Sequence, residues 1–334
     1  MKKVLVTGGA GYIGSHTVVE LVEAGYTPII IDNLSNTSKQ NLTGINQIIK
    51  SKVKWYNIDC TDKKAMNKIF QQEGKFQAVI HFAAYKAVEE SVKNPKKYYL
   101  NNIGSLEILL LCMKENNSKN IIFSSSCTVY GMPDILPVDE NSPFKKASSP
   151  YAETKQICEK MLLNNTCNSL SLRYFNPIGS HKSALIGDCS SDKASNLVPI
   201  IAETAIGKRD KVTVFGNDYK TNDGTCIRDY IHVVDLAKAH TCALNYLLDN
   251  KGVNNEFFNI GTGKGNSVLE IINSFEKVTG KKVVYKIGQR RPGDITAAYA
   301  DNEKALKYLH WKPNYSLEDA LLSAWNWEKN YRKT

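Results

Sequence analysis

Short apolar runs alternate with stretches of helical spacing through the first 175 residues of the chain. The runs lack the apolar–polar alternation of a strand with one wet face, which predicts strands buried on both faces. The predicted strands are residues 4–6, 29–31, 55–58, 79–82, 121–123 and 170–172. Strands of this kind separated by helices indicate an α/β fold with a doubly wound parallel sheet of the Rossmann type.

After Pro177 the spacing changes, and shorter units follow a loop rich in glycine and serine. The pattern predicts helices over 197–205, 234–248, 268–275 and 317–327, with strands over 212–215, 257–260 and 283–287. We therefore divide the chain into a Rossmann domain (1–176) and a smaller mixed α/β lobe for the substrate (177–334). The boundary is soft, because the chain can cross between the two lobes.

The excess of basic residues excludes few classes of binding partner. The chain carries 43 Lys and Arg against 33 Asp and Glu, for a net charge of +10. Such an excess suits nucleic acid, a membrane surface or an acidic small substrate. The lysines are scattered, however, and neither a basic arm nor an RNA-binding motif accompanies them. We expect a solvated basic surface and no nucleic-acid partner.

The cysteines and the apolar runs indicate the compartment. Eight cysteines lie far apart, without a C-x-x-C pair or a Cys/His spacing that suits zinc. They are typical of reduced thiols in the cytosol, and no metal is expected. The apolar start at residues 4–7 runs directly into glycines, and no run approaches the ~20 apolar residues of a membrane span. These features predict a cytoplasmic protein with no membrane partner.

A glycine-rich turn follows the first predicted strand at once. Gly8, Gly11 and Gly14 stand where a tight turn brings the backbone against a pyrophosphate at the start of a helix. Asp32 ends the second predicted strand, 18 residues beyond Gly14. A carboxylate there accepts hydrogen bonds from the adenosine ribose and repels a 2′-phosphate, which favours NAD over NADP.

A second set of residues suits proton transfer. Tyr151 and Lys155 are four residues apart, hence one turn apart on one helix face, and Ser149 and Pro150 before them are typical of a helix start. A neighbouring ammonium, a helix N-terminus and an oxidised nicotinamide would each favour the phenolate. Ser126 belongs to a serine-rich end of the fifth predicted strand, at the sheet edge where ligands bind. Its hydroxyl can relay a proton between a substrate and the phenol.

These features together resemble the extended short-chain dehydrogenase/reductase family. Within that family, further stretches are similar to the 4-epimerases that act on UDP-hexoses. They cover residues 32–34, 79–84, 86–88, 90–92, 149–151, 173–177, 215–219 and 224–233. The similarity extends from the first strand to about residue 301, so it includes both lobes.

The resemblance implies an NAD-dependent isomerase that interconverts UDP-glucose and UDP-galactose through a 4-keto intermediate. It implies that Ser126, Tyr151 and Lys155 are the catalytic residues. The cofactor contacts, including the glycine turn, are expected at Gly8, Gly11, Tyr12, Ile13, Gly14, Asp32, Asn33, Asn36, Asp59, Cys60, Phe82, Ala83, Lys86, Asn101 and Phe175. The UDP-sugar is expected to bind at Asn176, Asn196, Leu197, Phe215, Arg228, Arg291, Asp294 and Ala298.

One position departs from the family pattern. Members strict for glucose and galactose place a tyrosine four residues past the equivalent of Asp294, whereas this chain has Ala298, with Tyr299 next. A small residue at that wall would leave room for an N-acetyl group at sugar C2, so we predict that UDP-GlcNAc and UDP-GalNAc are also interconverted. The alternative is a one-residue shift of register that puts Tyr299 in the same space.

Two other functions compete with this one. A nucleotide-sugar 4,6-dehydratase shares the first oxidation, but relatives of that kind carry Asp-Glu where this chain has Cys127 and Thr128. A non-catalytic NAD-sensing scaffold could share the fold, because fold alone does not determine function. The complete catalytic set argues against it. The resemblance further implies a homodimer, for which residues 94–116 and 150–164 are the candidate contact helices, although their apolar positions would equally suit packing against the sheet.

Overall fold

The structure, a computed structural model, describes residues 2–189, 194–250, 255–291 and 293–331. In these ranges strands and helices alternate from the first strand to the last helix. The strands are β1 (Lys3–Thr7), β2 (Thr27–Ile31), β3 (Lys54–Tyr56), β4 (Ala78–His81), β5 (Asn120–Ser126), β6 (Asn168–Tyr174), β7 (Asn176–Ile178), β8 (Val212–Phe215), β9 (Ile227–His232), β10 (Glu256–Ile260), β11 (Gly265–Ser267), β12 (Tyr285–Gly288) and β13 (Ala297–Ala298).

The helices fill the intervals. They are α1 (Tyr12–Glu23), α2 (Lys39–Ile49), α3 (Lys63–Glu73), α4 (Val88–Lys93), α5 (Pro95–Tyr98), α6 (Gly104–Glu115), α7 (Pro150–Leu163), α8 (Leu197–Ala205), α9 (Val233–Asp249), α10 (Val268–Thr279), α11 (Glu303–Leu309) and α12 (Leu317–Tyr331). A π-helical segment (Tyr99–Ile103) joins α5 to α6, and a 3-10 turn (Cys127–Tyr130) follows β5.

Seven parallel strands form the main sheet, in the order β10-β6-β5-β4-β1-β2-β3. Successive side chains of its central strands point to opposite faces of the sheet and pack into two separate hydrophobic cores. Val4 and Val6 pack on one side with α1 and α9, while Leu5 packs on the other with α3 and α6. Burial of both faces removes the polar alternation, which is why the strand sequences are continuously apolar. The predicted doubly wound α/β fold is confirmed.

The order of the strands fixes the position of a cleft. The neighbours of β1 are β2 on one side and β4 on the other, so the chain leaves β1 in one direction and later returns to its opposite flank. The loops at the carboxyl ends of β1 and β4 therefore diverge and leave a crevice between them. Thr7 at the end of β1 pairs in register with His81 at the end of β4.

The second half of the chain builds smaller units above that crevice. Strand β9 pairs with β7, β11 and β13, and β12 pairs with β8. Helices α8, α10 and α12 cover them with a core of their own. The chain also crosses back, because β10 supplies the edge of the main sheet next to β6 and α9 packs against α1. A domain boundary at residue 176 thus places strand β10 and helix α9, which belong with the main sheet, in the second half of the chain.

Several predicted boundaries change in the structure. The strand predicted over 55–58 ends at Tyr56, and the strand predicted over 283–287 begins at Tyr285. The helix predicted over 94–116 is divided by the π-helical segment. Asn102 in that segment accepts from the backbone N–H of Tyr85 at 2.9 Å and donates to its carbonyl at 3.0 Å. The segment is thus bonded to the loop after β4, a tertiary contact that local periodicity does not reveal.

Candidate active site

A cleft of about 570 Å³ lies at the carboxyl edge of the main sheet, between the sheet and the units of the second half. Every residue predicted to bind or react lines it. The cofactor residues come from the segments that follow β1, β2, β3, β4 and β6, from the start of α1 and from the π-helical segment, and the catalytic residues come from β5 and α7. The substrate residues come from β7, α8, β8, β9 and β13 and the segment before β13. The tertiary structure therefore brings the three predicted groups into one cavity.

The glycine turn leaves space for a dinucleotide by excluding side chains. Gly8 has a φ of +70°, and a Cβ on it would lie 2.7 Å from the backbone nitrogen of Ala83. A Cβ on Gly14 would lie 2.3 Å from the carbonyl oxygen of Gly8. Both positions accept only glycine, so the backbone can approach a pyrophosphate closely at the start of α1. These residues fit NAD.

Asp32 stands at the far end of this cradle. Its carboxylate accepts from the backbone N–H of Ala10 at 3.0 Å and of Leu34 at 2.9 Å. Burial raises the pKa of the Asp32 carboxyl, and the backbone donors oppose that rise. Asn33 beside it donates to Asp59 at 2.8 Å. A carboxylate fixed in this way suits ribose hydroxyls and disfavours a phosphate in their place.

Helix α7 presents the predicted phenol and ammonium to the cleft. Ser149 caps the helix by accepting from Ala152 N at 3.2 Å, with Pro150 as its first residue, as predicted. The Lys155 ammonium donates to the carbonyl oxygen of Ser124 at 2.5 Å and lies 5.8 Å from the centroid of the Tyr151 ring. Both residues line the cavity from one helix face.

Burial shifts the pKa values of both groups away from their ordinary values. Burial raises the pKa of Tyr151 to about 12, and the Ser126 hydroxyl only partly opposes it. Burial lowers the pKa of Lys155 to about 8, against the acidic neighbours Cys158 and Glu159. The charge of Lys155 therefore does not by itself offset the effect of burial on the phenol, and a helix N-terminus and an oxidised nicotinamide are the further groups expected to favour the phenolate. A phenolate and an ammonium in a site this dry would stabilise each other by their opposite charges, and a positive charge on a bound partner would favour the phenolate further.

Ser126 ends β5 and starts the turn that follows. Its hydroxyl oxygen accepts from the backbone N–H of Thr128 at 3.3 Å. Cys127 and Thr128 also line the cleft, so the chain presents a thiol and a hydroxyl where dehydratase-like relatives were expected to hold two carboxylates. Burial raises the pKa of the Cys127 thiol to about 12, which makes it a poor acid or base near neutral pH.

The substrate end of the cleft holds two arginines. Arg228 forms an ion pair with Asp294, the other predicted substrate residue beside it, and donates to the carbonyl oxygen of Ile295 at 2.9 Å. The guanidinium of Arg291 lies 4.0 Å from the centroid of the Phe215 ring. A diphosphate suits guanidinium donors. The aromatic ring beside Arg291 offers a flat apolar surface, of the kind on which a base can stack.

Ala298 and Tyr299 face different ways. Ala298 pairs in register with Arg228, and both line the cleft. Tyr299 points toward β11, since a Cβ on Gly265 would lie 3.0 Å from Cδ1 of its ring. The ring of Tyr299 therefore does not occupy the cavity wall at which strict members of the family place a tyrosine.

The sequence analysis missed several residues that line the same cleft. The Ser124 carbonyl oxygen accepts a hydrogen bond from Lys155, and Tyr85, Ser148, Tyr174 and Tyr230 also line the cleft. Ser124 belongs to the serine-rich strand end, so its position was available from the sequence. The others reach the cleft through the packing of separate elements, for which the sequence gives no local signal.

Among the residues that the structure describes, no helix combines the length and the apolar composition needed to cross a membrane. The fold, the glycine cradle and the Ser–Tyr–Lys set together define a dinucleotide-dependent enzyme of the extended short-chain dehydrogenase/reductase class. A family model described as GDP-mannose 4,6 dehydratase matches residues 5–323, which is most of the chain.

Individual relatives narrow the class. A UDP-glucose 4-epimerase of Dictyostelium discoideum is 46% identical over 98% of this chain and 95% of its own length. A crystal structure of UDP-glucose 4-epimerase from Stenotrophomonas maltophila, with bound NAD and formylated UDP-arabinopyranose, is 41% identical with a TM-score of 0.96, and covers 100% of this chain and 99% of that one. Another from Bifidobacterium longum, in complex with NAD+ and UDP, is 45% identical with a TM-score of 0.93 and covers 99% of both. The chain belongs to the UDP-glucose 4-epimerase family.

Proposed function

We propose that this protein is an NAD-dependent isomerase that interconverts UDP-glucose and UDP-galactose. The observation that carries the proposal is the meeting of three groups in one cavity: a glycine cradle that fits NAD, Ser126 with Tyr151 and Lys155, and the arginine-lined end beyond them. NAD in the structures of relatives supports the cofactor. The residues named as contacts by resemblance are proposed in the same roles.

The residues divide the chemistry between them. Tyr151 takes the proton of the sugar 4-hydroxyl, directly or through Ser126, and later returns it. When bound, NAD supplies a hydride acceptor and donor for sugar C4, and a positive charge beside the phenol. Lys155 stays close enough to stabilise the phenolate by its charge. Arg228 and Arg291 hold the UDP portion while the hexose, now a 4-ketose, turns in the cavity and offers its other face.

The dehydratase alternative requires an acid and a base for the loss of water. Cys127 and Thr128 offer neither near neutral pH, so the structure favours epimerisation. The scaffold alternative predicts no turnover of UDP-galactose at all.

A coupled assay with UDP-galactose tests the proposal. We expect Tyr151→Phe to lower kcat by ~10²–10⁴-fold, the usual contribution of a positioned acid–base group, while NAD still co-purifies. Tyr26→Phe is the matched control, since the Tyr26 hydroxyl donates to Asn245 at 2.6 Å, away from the cleft. Turnover of Tyr151→Phe near the wild-type rate would overturn the assignment.

The same site supports a wider substrate range. Ala298 leaves open the wall that a tyrosine occupies in the strict members, and Tyr299 points elsewhere. We propose that UDP-GlcNAc and UDP-GalNAc are also interconverted. Absence of turnover of UDP-GlcNAc by the purified enzyme, under conditions in which UDP-galactose reacts, would remove this extension.

We further propose a homodimer in the cytoplasm, with residues 177–334 serving mainly to bind the UDP-sugar. The candidate contact helices are partly committed to the core, because Leu106, Leu109 and Leu110 are buried against the sheet. Leu100 and Leu111 remain exposed by 64% and 41%, as does Leu163 by 45% on α7. These exposed side chains are the proposed contact, and the mass in solution by light scattering tests it: a monomer mass at micromolar concentration would contradict the dimer.

A further inference from the structure

A fully buried ion pair lies directly behind the proposed catalytic residues. Arg173 on β6 donates to Glu159 on α7 twice, from Nε to Oε1 at 3.1 Å and from Nη2 to Oε2 at 2.8 Å. Their side chains are only 3% and 0% exposed. Removing two charges from water is costly, and well-packed apolar residues of the same size often serve stability as well. Stability alone is therefore a weak reason for this pair.

The carboxylate of Glu159 joins α7 to β5 as well as to β6. The hydroxyl of Ser125 donates to Glu159 Oε1, and Ser125 is the cross-strand neighbour of Arg173. Glu159 follows Lys155 by one helical turn, so the helix is held where the lysine reaches the strand carbonyl. Ser125 immediately precedes Ser126 in β5.

The guanidinium joins a fourth segment to this assembly. Arg173 Nη1 donates to the hydroxyl oxygen of Tyr130 at 2.9 Å, and Tyr130 donates to Asn259 Oδ1 on β10 at 2.7 Å. Tyr130 ends the 3-10 turn that begins directly after Ser126. One buried network thus holds the strand and turn on both sides of Ser126 and the helix that carries Tyr151.

We propose that the Glu159–Arg173 pair, together with the Ser125 hydroxyl, is a positioning unit that sets the separation between the hydroxyl groups of Tyr151 and Ser126. This inference rests on the proposed epimerase activity. Glu159 and Arg173 do not line the cleft and act through other residues, whereas Ser125 lines it but directs its hydroxyl to Glu159. Misplacement of reacting groups by about 1 Å can lower a rate ~10²-fold. Because UDP binds through the other half of the chain, the loss falls on kcat and not on KM.

The Ser125→Ala variant tests the unit without leaving a buried charge unpaired, as Glu159→Ala would. The matched control is Ser169→Ala on β6, which also removes a buried serine hydroxyl, one that donates to Asn255 at 2.6 Å near the opposite end of the sheet. With UDP-galactose, we expect Ser125→Ala to lower kcat at least tenfold with KM unchanged within twofold. The control should keep both values within twofold of the wild type.

Three readouts separate positioning from loss of folded protein. With UDP-galactose deuterated at sugar C4, the isotope effect on kcat should rise in Ser125→Ala, because a misplaced phenol slows the chemical step; a smaller folded fraction would leave it unchanged. A conservative Ser125→Thr variant, which keeps a hydroxyl, should restore kcat toward the wild type. Crystal structures of the two alanine variants measure the Tyr151–Ser126 hydroxyl separation directly, and we expect a change of at least about 0.5 Å in Ser125→Ala only.

The outcomes distinguish this inference from the proposed function. An inactive wild-type enzyme contradicts the epimerase, and the measured hydroxyl separation still decides the positioning role. An active wild type with Ser125→Ala indistinguishable from Ser169→Ala, in kcat and isotope effect, overturns the positioning unit while the epimerase stands. An unchanged hydroxyl separation in Ser125→Ala overturns it as well.

Discussion

Buried neutral histidines should make this protein sensitive to mild acid. Burial lowers the pKa of His16 and His81 to about 3, and that of His232 and His240 to about 4. In the unfolded chain each ring titrates near its ordinary pKa of ~6.5. Below that pH the unfolded state binds more protons than the folded state, so the free energy of unfolding falls as the pH falls from about 6.5 toward 4.

The size of the effect follows from these values. At pH 5 the four histidines together take up about 3.7 protons on unfolding, by the usual titration relation. Glu20 opposes them, since burial raises the pKa of its carboxyl to about 7 and the folded state keeps its proton. Glu20 is partly exposed, which weakens this opposition. For these five groups, a net uptake of about three protons corresponds to ~4 kcal/mol of lost stability per pH unit, a large share of the 5–15 kcal/mol typical of folded proteins.

Urea unfolding at several pH values between 5 and 6.5 measures the slope. His16→Asn keeps a donor toward the Tyr12 carbonyl, which lies 2.7 Å from Nδ1, but removes one titrating ring. The slope should then fall by ~1.3 kcal/mol per pH unit. His310→Asn is the control, because His310 is exposed and asparagine tolerates its left-handed backbone. An unchanged slope in His16→Asn, or stability that rises toward pH 5 in the wild type, would refute this reasoning.

Two further predictions concern the cleft itself. Gly8→Ala places a Cβ 2.7 Å from the Ala83 nitrogen and should lower the NAD content of the purified protein at least tenfold. The control is Gly25→Ala, which has a similar φ of +80° and nothing within 4 Å of its Cβ, and which should cost ~1 kcal/mol of stability and keep NAD. Equal NAD contents in the two variants, measured by absorbance after release, would contradict the role of the glycine cradle. Ala298→Tyr should lower kcat/KM for UDP-GlcNAc by ~10–200-fold and leave kcat/KM for UDP-galactose within a few-fold of the wild type. The control Tyr299→Phe should leave kcat/KM unchanged for both substrates. Parallel losses on both substrates in Ala298→Tyr would show that residue 298 does not face sugar C2.

The fold class could be predicted from the sequence because the features that indicate it lie in residues that are close together in the chain. The continuous apolar character of residues 4–6 and 29–31 arises from burial on both faces, and the glycine turn after the first strand needs no distant partner to be recognised. Ser149 and Pro150 similarly mark the start of α7. The helix predicted over 94–116 is helical over 95–115 but changes to a π-helix at Tyr99–Ile103, where the Asn102 side chain bonds to the loop after β4.

Membership of the site also followed largely from the sequence, through motifs that adjoin strand ends. The protonation states of Tyr151 and Lys155 did not follow from the sequence. Whether Tyr151 and Lys155 are acidic or basic depends on how much water surrounds them, and their burial is a property of the assembled cleft. The choice between Ala298 and Tyr299 likewise depended on the pairing of β13 with β9, since a shift of one residue exchanges the two faces of a strand.

The sequence by itself thus determined the parallel sheet, the dinucleotide turn and the choice of the proposed reacting groups, because each is encoded by neighbouring residues. Only the tertiary structure decided that β10 returns to the main sheet, that Ala298 faces the cleft, and that Glu159 and Arg173 meet behind the proposed catalytic residues. Those features depend on residues far apart in the chain, and their energies come from desolvation and packing that exist only once the chain has folded.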